Sequence, residues 1–579
     1  MYGFIGIYGD GDLLTHGSID TRRFQSPDLS IIQHIPKKFT DDNIFIDNEH
    51  FTFMINGVIL NDCELFEKYN QQDLTSLVKY FFSSQVKDFF SRFRGSFSGF
   101  FFDKQTKQCS LFVDHTGSKK IFYTRVDSKI LFSTDFKELT KLLPSEKRIA
   151  FDKEFLYSIL TYSYSPNHHT VLEHVYEIPA GHYLQINGMN IQLVQYHRFT
   201  NISNNKSLSE NIEILDRLFR QAVQRVIRKN EKYNLETCAS LSAGLDSRMV
   251  TWIANQISHS QIINVTFSQK EYFDENIPRE ISNFLGTQWH FQALNEGDYL
   301  CNIDESIKKS QGLIHYSCPA QILYGYKNID FDNIGIVLTG AYGGSILYSS
   351  FSRKEYSQKP VFGDNAYSRK LLSRLKDVLS KDFIKDYQNK EIYSLYNLGF
   401  SCENLGAQIA FQPNTEAYSP FCDVDFLEFA LSIPLAQRWS HSLYDSWILK
   451  KYPDAAKWKH NGVREIGKKE RFISVVNRKI PLHDVPKRVT QFILKKTHLY
   501  NFDKIIKNHS MNPYDYWFDV NKKLTTQLDT YFRENIGRLN NYAEIQKDAT
   551  FLYQSGTAME KLQTITLLAI MNYATSSDS

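Results

Sequence analysis

The sequence predicts an α+β first half of stacked antiparallel sheets with a helical layer, followed by an α/β second half on a doubly wound parallel sheet. Three observations carry this expectation. Short alternating apolar runs separated by turn residues fill the first two hundred or so positions. A polar stretch at 200–209 (TNISNNKSLS) breaks the pattern. Beyond it, apolar runs of strand length alternate with stretches of helical period.

In order, the strand-like runs are 51–60 (FTFMINGVIL), 99–102 (GFFF), 109–113 (CSLFV), 129–132 (KILF) and 182–186 (HYLQI). Asp103-Lys104, Thr116-Gly117 and Asn187-Gly188 punctuate them as turns. A helix is predicted over 73–90. After the polar stretch, 209–229 reads as a long amphipathic helix, with Ile212, Leu215, Leu218, Phe219, Val223 and Val226 on one stripe. A strand at 237–241, a glycine turn, a helix from Ser247, a strand at 262–267, a helix at 277–285 and a strand at 334–338 follow. The division expected is 1–203 and 204–579, the second part ending in helices, of which 557–573 has an amphipathic pattern.

Composition narrows the function classes. A net charge of +3 over 579 residues argues for neither nucleic acid nor membrane as partner. Seven scattered cysteines without a Cys-x-x-Cys pair suggest neither a disulfide framework nor a zinc knuckle. The opening MYGFIGIYGDGDLL lacks the basic and apolar regions of a signal peptide, and no apolar run has bilayer length, so a reduced, cytoplasmic setting is expected.

The chemistry concentrates at Ser242-Ala-Gly-Leu-Asp-Ser247, where a strand runs through a Gly/Ser turn into a helix. Backbone N–H groups and the helix N-terminus then face one anion, Gly244 permits close approach, and Ser242 and Ser247 add hydroxyl donors. Asp246 cannot touch phosphate directly and must reach it through Mg²⁺. An inert strand-to-helix turn is the competing reading.

This loop closely resembles the Ser-Gly-Gly-x-Asp-Ser loop of the asparagine synthetase family, with Ala243 in place of one glycine. Further matches follow in family order: Phe267, Asp274, Leu285-Gly-Thr287, His290, Val337-Leu-Thr-Gly340, and a helical signature over 419–434 (SPFCDVDFLEFALSIP). The first half resembles the glutamine-hydrolysing domain of that family through 55–60, 94–97, 114–123, 132–135 and 179–183. The resemblance therefore implies an Ntn-hydrolase-like domain followed by a PP-loop ATP-pyrophosphatase domain. It assigns ATP to Ser240, Ser242, Gly244, Asp246, Ser247, Phe267, Thr339 and Gly340, and Mg²⁺ to Asp246 and Asp274. It places a lysine near 458–462 to stabilise developing negative charge, for which Lys459 is the choice, with His460 and Lys451 as rivals. Tyr342 lies in the substrate-side loop as a base or substrate contact, or as a packed tyrosine.

Several departures change the expectation. The family's N-terminal cysteine nucleophile is replaced by Tyr2, its carboxylate-gripping arginine by Gln25, and its amine-holding aspartate by Arg94. Glutamine hydrolysis is therefore expected to be lost. In the turn 339–347 (TGAYGGSIL), Gly344 or Ser345 stands where a metal-binding acid is expected.

The favoured reading is ATP-dependent activation of a small-molecule or peptide carboxylate as an acyl-adenylate, followed by attack of an amine or ammonia. This is the chemistry of β-lactam synthetases and lasso-peptide cyclases, and natural product biosynthesis is the expected setting. Amidation of a sugar acid, a nucleotide-binding pseudoenzyme, and a PP-loop hydrolase or transferase with a purely structural first half stay open. So do a homodimer and a biosynthetic partner protein.

Overall fold

The computed structural model describes residues 3–13, 21–86, 88–348, 357–379, 382–412, 414–462, 464–468, 472–475, 478–481 and 510–576. Tyr2 lies outside them.

The first half contains β1 (Gly3–Tyr8), β2 (Thr21–Ser26), β3 (Leu29–His34), β4 (Phe45–Asp47), β5 (Phe51–Ile59), β6 (Gly95–Asp103), β7 (Cys109–Val113), β8 (Phe122–Val126), β9 (Lys129–Ser133), β10 (Val175–Glu177), β11 (His182–Asn187) and β12 (Asn190–Gln195). They form two six-stranded antiparallel sheets, ordered β10-β8-β9-β1-β3-β2 and β12-β11-β7-β6-β5-β4. Phe4, Ile31, Met54, Phe100, Leu111, Phe132 and Leu184 fill the space between them. The outer face of the second sheet packs Phe53, Phe97 and Phe112 against Leu77, Val78 and Phe81 of the helix Leu74–Ser83. The outer face of the first packs Ile5, Ile7 and Leu131 against the helix Lys153–Tyr162. The layers are thus helix, sheet, sheet, helix, because each sheet is apolar on both faces and must be covered twice. The helix expected over 73–90 stops at Ser83: Gln85 and Asp88 take left-handed backbone, and Phe89–Arg92 forms a short 3₁₀ turn instead.

The second half opens with α1 (Leu208–Lys232), whose N-terminus carries a reciprocal cap between Ser207 and Glu210. β13 (Cys238–Ser240), α2 (Leu245–Ile257), β14 (Ile263–Ser268), α3 (Phe273–Leu285), β15 (Gln288–Ala293), β16 (Val337–Leu338) and β17 (Ala417–Tyr418) follow. The strands make a parallel sheet ordered β15-β14-β13-β16-β17. The stripe Ile212, Leu215, Phe219, Val223 and Val226 of α1 packs with Met249, Val250 and Ile253 of α2 on one face. Tyr326 and Phe411 cover Cys238, Ile263 and Val265 on the other. The strand expected at 334–338 shrinks to two residues, with Ile334 making only an isolated bridge to Glu236.

Two features tie the halves together beyond what sequence patterning indicated. The polar stretch at 200–209 is held down: Asn201 donates to Glu391 at 2.7 Å, and the Asn204 N–H donates to the Ser432 carbonyl at 2.7 Å. The helices Lys522–Asn535, Ala543–Ser555 and Ala558–Thr575 share one apolar core with β1, β9 and the helix Lys153–Tyr162. The helix Ala558–Thr575 is consequently buried around most of its circumference, although its sequence has an amphipathic pattern.

The interface between halves is also ionic. The Arg225 guanidinium of α1 bonds Glu64 of the first half at 2.7 Å and Asp423 and Asp425 at 3.0 and 2.9 Å. Lys229, one turn on, bonds Asp42 and Asp62 at 3.0 and 2.7 Å. Removing one member of a buried ion cluster leaves the others desolvated and unpaired. Arg225→Ala is therefore expected to cost about 3–5 kcal/mol, read as a lowered urea unfolding midpoint.

Candidate functional site

The site forms where β13 ends and α2 begins. Parallel strands direct their C-terminal ends at the following helix N-termini, so the loop 241–247 sits on the edge where α/β sheets bind ligands. Within it, the Ser247 hydroxyl accepts from the Ser242 N–H at 2.9 Å and lies 2.8 Å from the Ser242 hydroxyl. The Gly244 N–H donates to the Ser242 hydroxyl at 3.2 Å. The loop's own hydroxyls thus satisfy donors that a phosphate would otherwise take.

Asp246, at the first turn of α2, faces a second turn from the end of β16. Its Oδ2 accepts from the Gly344 N–H at 2.8 Å and its Oδ1 from the Tyr444 hydroxyl at 2.8 Å. Burial pushes the carboxyl up to about 6, against the pull of those two donors. The second turn lies hard on the loop. A Cβ on Gly340 would stand 2.5 Å from the Ser247 amide nitrogen, and one on Gly343 2.8 Å from the Asp246 carboxyl carbon. The side chain of Thr339 is buried with its hydroxyl unpartnered. Gly344, not an acid, meets Asp246, and Ser345 lies beside it in the short helix Gly343–Leu347.

Asp274, in the first turn of α3, accepts from the Ala243 N–H at 2.6 Å, and burial raises its carboxyl against that bond. Among the described residues no group of three His, Cys, Asp or Glu side chains forms a metal cluster. Any metal at Asp246 would therefore lean on few protein ligands. Ser240 turns its hydroxyl to that of Tyr326 at 2.7 Å, and the ring of Phe267 packs against Gly325, where a Cβ would stand 2.3 Å away.

The segment after the helix Ser442–Lys451 closes over the loop. The buried Arg248 donates to the carbonyls of Ala455 (3.0 Å), Trp458 (2.8 Å), Ala243 (2.9 Å) and Lys459 (3.2 Å). The Asn461 N–H donates to the Ala243 carbonyl at 3.1 Å. Lys459 takes part through this carbonyl, while its side chain is exposed. Lys451 is spent on Glu213. His460 lies inward, its imidazole lowered to about 3 by burial and by Arg464.

Tyr342 has left-handed backbone (φ 66°) and packs its ring on Gly399, where a Cβ would stand 2.7 Å from it. Burial, then Glu403 and Glu391, hold its phenol well above the ordinary range. Glu403 escaped the sequence reading. It projects from a wide π-helical turn, Leu395–Asn404, is exposed at the surface of the site, and is raised to about 7 by desolvation and by Asp246. No sequence motif marks it; a local π-helix is a recurrent sign of a functional position, visible only in three dimensions.

In the first half, Gln25 lies on β2 and bonds Asp12. Arg94 reaches across to the second half, donating to Asp425 at 3.0 Å and to the carbonyls of Ser91 and Phe93 at 3.0 and 3.1 Å. Burial pushes Asp425 up, but Arg94 and Arg225 outweigh it and hold the carboxyl below its usual range. Arg94 is thus an inter-half tether.

A glutamine amidotransferase domain model matches residues 34–197, and an asparagine synthase model matches residues 215–393. Among curated relatives, asparagine synthetase [glutamine-hydrolyzing] 1 of Bacillus subtilis is 21% identical over 263 residues, 44% of this chain and 40% of that one. A putative asparagine synthetase [glutamine-hydrolyzing] 1 of Methanocaldococcus jannaschii is 22% identical, covering 68% of this chain and 66% of its own. Amidase chry2 of Gibberella zeae is 23% identical over 36% of this chain and 33% of that one. The chain thus spans between a third and two thirds of the length of these relatives. Among solved structures, glutamine phosphoribosylpyrophosphate amidotransferase from B. subtilis, complexed with ADP and GMP, covers 69% of this chain and 90% of its own at 11% identity and a TM-score of 0.24. The NH3-dependent NAD synthetase from Campylobacter jejuni covers 31% of this chain and 80% of its own at 12% identity and a TM-score of 0.19. Both scores are low, and strand order is the firmer guide to the fold.

The close seating of the second turn on the loop is directly testable. Gly340→Ala forces backbone atoms apart, an overpacking expected to cost about 1–3 kcal/mol, read as a lowered thermal unfolding midpoint with secondary structure retained below it.

Proposed function

We propose, taking as premise that the chain belongs to an asparagine synthetase-like family, that it activates a carboxylate with ATP and forms an amide without hydrolysing glutamine. The observation that carries this reading is the loop 241–247, whose Asp246 and Ser247 face Gly344 and Gly340, with the uncompensated guanidinium of Arg248 beside it. All four hydrogen bonds described for Arg248 go to carbonyls, and burial lowers it only to about 10, so it stays charged at neutral pH. A buried cation beside the loop favours an anion there, one that would take the Ser242 and Gly244 N–H groups over from the loop's own hydroxyls.

In this reading the triphosphate lies on Ser242, Gly244 and Ser247, and the carboxylate attacks the α-phosphorus from the side of Tyr342 and Glu403. The P–O bond to pyrophosphate breaks, leaving an acyl-adenylate. An amine or ammonia then attacks the acyl carbon, the C–O bond to AMP breaks, and the amine proton passes to a base. Glu403, held near 7, suits that base or the binding of a protonated amine. Mg²⁺ fits here through Asp246, whose two carboxylate oxygens each accept a single hydrogen bond from the protein, and through Asp274. Bound there, it would neutralise charge on the phosphates.

Loss of glutamine hydrolysis is supported by Tyr2 and Gln25 and by the commitment of Arg94 to Asp425. Peptide, sugar acid and other small carboxylates are the substrates to screen, and natural product biosynthesis in a cytoplasmic setting is the proposed context. A second reading, a nucleotide-binding pseudoenzyme, is favoured by one observation: Gly344 and Ser345 replace the second acid.

Pyrophosphate release from ATP, measured across candidate carboxylates with and without amines, separates the two. Carboxylate-dependent release is expected, and Asp246→Ala is expected to abolish it; nucleotide binding without release from any carboxylate would favour the pseudoenzyme. Incubation with glutamine is expected to yield no glutamate, and clear release would overturn the loss of the glutaminase.

A further inference from the structure

We propose that His441 and His460 form a pair of hydrogen-bond donors that contact the pyrophosphate portion of the nucleotide beside the loop. The proposal rests on the ATP reading and adds to it two residues outside the loop itself.

Both histidines are placed by anchors to the loop. His460 lies between Lys459, whose carbonyl accepts from Arg248, and Asn461, whose N–H donates to the Ala243 carbonyl. His441 immediately precedes the helix Ser442–Lys451, and Tyr444 in its first turn donates to Asp246. Tyr348 connects the two. Its ring lies 4.1 Å from the His441 ring, 6.3 Å from Tyr444 and 6.4 Å from His460, and its hydroxyl end stands against Gly344. The two imidazoles are 5.7 Å apart, edge to face. His441, His460, Tyr348 and Tyr444 therefore make one aromatic wall next to Asp246.

The backbone bends to build this wall. Ser440 (φ 53°), His441 (φ 65°) and Asn461 (φ 49°) are non-glycine residues in left-handed conformation, as is Tyr342 across the site. Left-handed backbone is tolerated best by Asn and His among non-glycine residues, and here it turns the chain so that both rings face the same wall.

The protonation states suit donation to an anion rather than permanent ion pairing. Burial and the Arg464 guanidinium hold His441 to about 4 and His460 to about 3, so both are neutral near pH 7. Arg464 is itself neutralised by a two-pronged bond to Asp445 at 2.6 and 2.9 Å. A neutral imidazole carries one N–H. For His441 the Nδ1 atom is buried without a partner, so the nitrogen left to meet a ligand is Nε2. Lys459, the residue expected from sequence to meet this charge, has an exposed side chain instead.

Isothermal titration calorimetry of the full chain with inorganic pyrophosphate, with and without MgCl₂, tests the pair. His441→Ala/His460→Ala is expected to weaken pyrophosphate binding about tenfold or more, as expected for two lost hydrogen bonds. His441→Gln/His460→Gln, which keeps an N–H donor at each position, is expected to stay within about threefold, and adenosine affinity is expected to be unchanged in both. Pyrophosphate binding at wild-type affinity in the alanine variant would overturn the pair and leave the nucleotide reading standing. A wild-type chain that binds neither ATP nor pyrophosphate would overturn both. Should the alanine variant unfold, ¹⁵N-histidine-labelled wild type, its signals assigned with single glutamine variants, gives the answer. Shifts of both imidazoles on adding pyrophosphate support the pair; unmoved signals at saturating pyrophosphate overturn it.

Discussion

A single buried guanidinium holds the candidate site together. Arg248 has no carboxylate within its hydrogen bonds; it spends them on the carbonyls of Ala243, Ala455, Trp458 and Lys459. One side chain on α2 thereby fixes the loop that precedes it and the segment that closes over it, two pieces of chain more than two hundred residues apart. Burying a cation without a counter-ion is costly, and carbonyl dipoles offset only part of that cost. The remainder is a standing preference for negative charge nearby, which an anion seated on the loop would satisfy.

The same economy governs the boundary between halves. Arg94 and Arg225 gather Glu64, Asp423 and Asp425 into one set of ion pairs across it, and Lys229 gathers Asp42 and Asp62 into a second. Lys119 adds a buried bond to Glu416 beside β17. Such pairs contribute little net stability over an apolar isostere, but they punish any other arrangement, because each unpaired charge would be left desolvated. The shared core with the C-terminal helices supplies the apolar counterpart. The first half is thus firmly built into the molecule, and Arg94 shows how: through Asp425 its charge clamps the helix that carries the 419–434 signature.

Much of this was legible before any coordinates. Short apolar runs located β5, β6, β7, β9 and β11, five of the twelve strands described in the first half, while short or solvent-facing strands such as β2, β4 and β12 left no comparable signal. The strand–turn–helix at Ser242–Ser247 was marked by its Gly and Ser residues, and Gly340 falls where a second turn presses on it. The misreadings have physical causes. The helix expected to reach Phe90 stops early because left-handed residues at Gln85 and Asp88 turn the chain. The helix Ala558–Thr575 looked one-sided and is buried nearly all round, since a pattern records which faces tolerate burial and not how many neighbours arrive.

The sequence by itself determined the two-part architecture and the strand–turn–helix at Ser242–Ser247. Local chemistry suffices for these, because a nest of N–H groups or an alternating strand is specified within a few consecutive residues. Only the tertiary structure decided which distant groups face that loop. It turned the side chain of Lys459 outward and His460 inward, set Gly344 rather than an acid against Asp246, and brought Glu403 to the site from a π-helical turn. Those choices depend on the close packing of segments separated by a hundred residues or more, and no spacing along the chain encodes them.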